Sequence, residues 1–64
     1  MVNEELISKL IIKANSKGFN LLLMYDEVSF TYIVELLDNY GRLYRIAESS
    51  DLEIALTEIF KTLI

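Results

Sequence analysis

The sequence predicts a single small α+β domain of order α-β-β-β-α, a three-stranded antiparallel meander with two helices packed on one face. Two segments repeat apolar residues at helical spacing, at the two ends of the chain, and between them lie three short runs rich in β-branched, aromatic and aliphatic residues. Turn chemistry separates the runs: Gly18, then Asp26-Glu27, then Asp38-Asn39-Tyr40-Gly41.

Helix one is expected over residues 4–17. Leu6, Ile7, Leu10, Ile11 and Ala14 fall on one stripe. Asn3 is placed to cap the helix, Glu4 and Glu5 suit its positive end, and Val2 has hydrophobic-staple spacing to Ile7. Lys13 and Lys17 complement the other pole, and Gly18 can adopt the left-handed conformation that closes a helix, folding Phe19 back onto the last turn.

Residues 20–25 form a short apolar run bounded by Asp26-Glu27, which reads as a strand. Residues 30–37, Phe30 to Leu37, suit a pleated surface. Asp38 to Arg42 then reads as a hairpin with a three-residue loop, Gly41 taking the left-handed position, and residues 43–48 form the third strand. Ser50-Asp51-Leu52-Glu53 matches a capping box between Ser50 and Glu53. Helix two follows to about Leu63, with Leu52, Ala55, Leu56, Ile59, Phe60 and Leu63 on its apolar stripe. Residues 1–64 form one domain without a repeat or linker.

Composition narrows function. Hydrophobic residues are 53% of the 64 residues and charged residues 25%, the profile of a packed domain. Cysteine and histidine are both absent, which removes disulfides, thiolate or imidazole metal sites and the usual nucleophile pairs. No carboxylate pair has an evident pocket, so the expectation is a protein that is not an enzyme, with no cofactor and no metal. No apolar run approaches the ~20 residues of a membrane span, and the acidic start differs from a secretory signal, so a cytoplasmic protein is expected. The net charge of −4 favours a partner with a basic surface.

A hairpin closing at residues 39–41 sets a register. Asp38 faces Arg42, Leu36 faces Tyr44, Val34 faces Ile46 and Tyr32 faces Glu48. Tyr32, Val34, Leu36, Tyr44 and Ile46 then form the core face. The other face receives Ile33 opposite Ala47, Glu35 opposite Arg45 as a cross-strand ion pair, and Leu37 opposite Leu43. Pairing Tyr25 with Phe30 adds Leu22 and Met24. Such an apolar open face marks a binding or self-association surface, unless a one-residue slip, or helix one crossing to the opposite face, buries these groups instead.

A second candidate surface is acidic: Asp26 and Glu27 in the first hairpin, Asp38 in the second, and Glu48, Asp51 and Glu53 around the start of helix two. Turn and cap chemistry accounts for most of these positions without a partner. Tyr40, at a hairpin tip beside Asp38 and Arg42, is the tyrosine expected to be exposed. Lys9, Lys13 and Lys17 form a basic stripe on helix one, and the element order is also that of double-stranded-RNA-binding domains. Acids stand where that family carries basic contacts, at Asp26-Glu27 and Asp51-Glu53, so direct nucleic-acid binding ranks below protein binding.

Taken together, Glu5-Leu6-Ile7 opening helix one, Tyr32-Ile33-Val34-Glu35 before Asn39-Tyr40-Gly41, Tyr44-Arg45-Ile46-Ala47-Glu48-Ser49 and the capped acidic second helix resemble the small acidic phage-encoded anti-CRISPR proteins that block type II effector nucleases. The resemblance implies an inhibitor acting in the host cytoplasm, occupying a basic nucleic-acid-binding groove by acidic mimicry. The present chain ends after helix two, has fewer acids and has a more apolar open face. The alternative from a different class is a homodimeric assembly module pairing through that face.

Overall fold

The computed structural model describes residues 2–64 and has the expected order: α1 (Val2–Ser16), β1 (Asn20–Asp26), β2 (Thr31–Leu37), β3 (Leu43–Ser49) and α2 (Leu52–Leu63). The strands form one antiparallel sheet in the order β1-β2-β3. α2 lies against β2 and β3, and α1 against β1 and α2. Both helices therefore share one face, and the thinnest dimension of 15 Å fits two layers. Among the described residues no element packs on the other face of the sheet.

The core between the layers is apolar. Leu10 and Ala14 from α1, Val34 and Leu36 from β2, Ala47 from β3, and Ala55, Leu56, Ile59 and Leu63 from α2 are buried. Burial of each large aliphatic side chain here is worth about 1.5–3 kcal/mol. Leu6, Ile7, Phe19, Leu21, Leu52 and Phe60 close the rim. Ile11, on the expected stripe of α1, stays exposed because α1 reaches only the β1 side of the sheet.

The helix ends separate into one expectation met and two corrected. α1 closes as Gly18 suggested: Gly18 has φ +84°, its N–H donates to the Asn15 carbonyl, and the Phe19 N–H reaches the Ala14 carbonyl at 2.8 Å. This double bond is the Schellman arrangement. At its start, Asn3 lies inside the helix and does not cap it; its Oδ1 meets no donor among the described residues. The Val2 side chain of the expected staple lies outside the described residues. α2 is capped by Asp51, whose Oδ1 accepts from the Glu53 N–H at 2.9 Å, and not by Ser50. Ser49 Oγ in turn accepts from the Asp51 N–H at 3.0 Å. A carboxylate one residue later meets the free amides of the first turn directly, so no Ser50–Glu53 box is needed.

The first hairpin pairs Tyr25 with Tyr32 where Phe30 was expected. Phe30 instead sits in the loop with φ +57°. The shift is two residues, so Leu22 and Met24 keep their expected face. The second hairpin forms as read: the Gly41 N–H donates to the Asp38 carbonyl at 3.0 Å, Asp38 N–H to the Arg42 carbonyl at 2.9 Å, and Gly41 has φ +79°.

The main correction lies just beyond that hairpin. Leu37 pairs with Leu43, but Leu36 then pairs with Arg45, Glu35 with Ile46, Val34 with Ala47 and Ile33 with Glu48. One extra residue at Tyr44 makes a β-bulge, and every later side chain of β3 changes face. Tyr44 and Ile46 leave the expected core, Ala47 enters it, and the Glu35–Arg45 pair does not form. In the regular register Glu48 would point at α2. The bulge turns this carboxylate outward, admits a small Ala47 into the core that Ala55 and Ile59 of α2 share, and puts Ser49 where its hydroxyl holds the backbone at the start of α2.

Candidate interaction surface

The uncovered face of the sheet carries Leu22 and Met24 from β1, Ile33, Glu35 and Leu37 from β2, and Leu43, Ile46 and Glu48 from β3. Strand alternation places these side chains together. Leu22, Met24, Leu43 and Ile46 are each between 38% and 55% exposed, and Ile33, Glu35 and Leu37 on the central strand are half-buried by their neighbours. Of the expected open-face residues, all but Arg45 and Ala47 are present. Arg45 stands opposite buried Leu36, and with Ile54 and Glu58 it lines a groove between β3 and α2.

Ile46 is the face residue that sequence reasoning missed. The signal was present in the conflict of the regular register, which aligned Ile46 with the core only by aligning Glu48 with it as well. The same bulge moves Glu48 from the group of acids near helix two onto the apolar face, opposite Ile33.

The remaining expected acids are divided by topology. Asp26, the last residue of β1, and Glu27, in the loop that follows, lie at the same end of the sheet as Asp51 and Glu53. Asp38 and Tyr40 lie at the opposite end, a strand length of about 23 Å away. Three of the carboxylates are engaged locally. Asp26 Oδ1 accepts from the Val28 N–H at 2.9 Å, and Asp51 caps α2. Asp38 Oδ1 accepts from the Tyr40 and Arg42 N–H groups, and its Oδ2 meets Arg42 Nε at 2.9 Å. The Arg42 N–H holds the Asp38 carboxyl below its ordinary value, opposed by some desolvation and aided by the Tyr40 N–H and the guanidinium. The Val28 N–H, with the Ser29 hydroxyl, does the same for Asp26. Glu27, Glu48 and Glu53 enter no hydrogen bond or ion pair among the described residues.

Tyr40 is exposed as expected, with the Arg42 guanidinium 5.2 Å from its ring centre. Lys9 and Lys13 flank Ile12 on the outer side of α1, a stripe without an aromatic platform beyond Phe60. Among the described residues no group of acids has the spacing of a metal site, and no helix is long and apolar enough to cross a membrane. Neither family models, nor characterised proteins, nor solved structures match this chain.

Proposed function

We propose that this chain is a non-enzymatic protein-interaction module whose contact surface is the open face of its sheet. The observation that carries the reading is the uncovered apolar set Leu22, Met24, Ile33, Leu37, Leu43 and Ile46, contiguous across all three strands. An antiparallel sheet facing water ordinarily presents polar residues there, and a contiguous apolar patch of this kind is a binding site. Selection from a helical peptide library without charge bias tests it. Bound peptides shift the amide resonances of Ile33, Leu37 and Ile46, and Ile33→Lys abolishes binding while the circular dichroism spectrum is unchanged. Peptides that map elsewhere, or whose binding survives Ile33→Lys, refute the reading.

A second reading, acidic mimicry by a phage-type inhibitor, draws support from the topology that gathers Asp26, Glu27, Asp51 and Glu53 at one end of the sheet. Because Asp26 and Asp51 hold a turn and a cap, the informative variant is Glu27→Lys with Glu53→Lys, which leaves both intact. In this reading the wild type suppresses DNA cleavage by a type II effector nuclease and the double variant does not. Equal suppression by both proteins, or by neither, refutes it.

A further inference from the structure

We infer that the partner of the open face is a cationic amphipathic helix of another protein, and not a second copy of this chain. The inference rests on the open face being the contact surface and specifies what covers it.

The bulge decides the charge of that face. With Arg45 turned away, the residues that share it are Asn20, Leu22, Met24 and Asp26 on β1, Thr31, Ile33, Glu35 and Leu37 on β2, and Leu43, Ile46 and Glu48 on β3. The set contains three carboxylates and no lysine or arginine. Asp26 is bonded to its own turn, but Glu35 and Glu48 have no hydrogen-bond or ion-pair partner among the described residues. Glu35 stands between Leu22 and Ile46 in adjacent strands, and Glu48 stands beside Ile33. Any surface broad enough to cover the apolar residues must also cover Glu35. A carboxylate taken from water without a cation or donor is strongly unfavourable.

A second copy meets this condition poorly, since the side-chain donors it brings on this face, the Asn20 amide and a Thr31 hydroxyl already paired with Ser29, lie at the ends of the strands and carry no charge. A twofold contact presents the same patch to itself, so two protomers would bring four unpaired glutamates into one interface with no cation from either side. The occupant must supply positive charge inside an apolar contact. Glu35 and Glu48 are diagonal neighbours on adjacent strands, about 7–8 Å apart. Cations at i and i+4 of a helix are about 5–6 Å apart at Cβ and have long stems, so one helix reaches both. A helix about 10 Å across also fits a sheet about 14 Å wide, and the strand length accommodates about fifteen helical residues. Helix on sheet is the packing that the same sheet makes on its other side. Arginine is the favoured cation, since its planar fork meets a carboxylate with two hydrogen bonds.

The test uses three synthetic helical peptides of about sixteen residues. All carry the same leucine stripe at i, i+3, i+4 and i+7, and differ only in two flanking positions at i and i+4, filled by Arg, Gln or Glu. Fluorescence anisotropy is expected to rank them Arg, Gln, Glu, with the Arg peptide about tenfold tighter than the Gln peptide. Glu35→Lys with Glu48→Lys inverts the ranking, and the milder Glu35→Gln with Glu48→Gln removes it, which covers the case where charge reversal disturbs folding. Equal affinities that all vanish with Ile33→Lys overturn the inference and leave the interaction module standing. So does a wild-type dimer in light scattering that Ile33→Lys dissociates. Binding of every peptide unaffected by Ile33→Lys, or no binding at all, overturns both.

Discussion

Lysine substituted at Ile46 and at Ala47 in turn tests the bulge directly, because the two registers of β3 make opposite demands on these neighbours. Ile46 is 45% exposed on the open face, so replacing it forfeits roughly half of the 1.5–3 kcal/mol that full burial supplies, about 1 kcal/mol. The new ammonium also lies opposite Glu35. Ala47 is 8% exposed in the core with Leu56 and Ile59. A lysine stem there overpacks the core at about 1–3 kcal/mol, and its charge, lacking an acid partner in that core, adds several more. A domain of 64 residues has a total stability of only about 3–10 kcal/mol. Ile46→Lys is therefore expected to fold, with its urea midpoint lowered by about 1 M for an m-value near 1 kcal/mol/M, and Ala47→Lys to be largely unfolded in water. Urea titration followed by far-ultraviolet circular dichroism reads both. A folded Ala47→Lys beside an unfolded Ile46→Lys would refute the bulge and the charge assignment built on it.

The helix cap gives a similar contrast of neighbours: Asp51→Ala is expected to cost about 0.5–2 kcal/mol in urea unfolding and Ser50→Ala close to nothing, and the reverse order would restore the Ser50 capping box. Acid stability follows from the two turn aspartates. Their folded pKa values lie below the ordinary 3.8, so the unfolded chain binds more protons in that region and stability falls as pH drops from about 3.8 through the folded values. Asp26→Asn with Asp38→Asn should flatten the dependence of the melting temperature on pH in that window, and an unchanged slope would show that other carboxylates govern it.

Much of the architecture was legible because it depends on short-range chemistry. Helical periodicity marked Leu10, Ala14, Leu56 and Ile59 for the core, and all are buried. Gly18 and Gly41 announced turns that need positive φ, and both have it. The errors share a different character. Ser50 and Asp51 are both good caps, and the chain uses whichever one the preceding strand delivers to the helix axis, here Asp51 supported by Ser49. The Tyr25 to Tyr32 pairing depends on where a four-residue loop closes, which Asp26 and Thr31 decide together.

For this protein, the local pattern of residues determined the number and order of elements and the α+β class, because helical period, strand alternation and turn chemistry act within each segment. Tertiary structure alone decided that both helices take one face of the sheet and what the other, open face carries. A single extra residue at Tyr44 exchanges Arg45 for Ile46 on the open side and sends Glu48 there as well. The bulge leaves one residue of the strand unpaired, so pairing along the strand does not favour it. The choice is made across the fold, where α2 needs a small Ala47 beneath it, a hydroxyl from Ser49 at its start, and no carboxylate in the core.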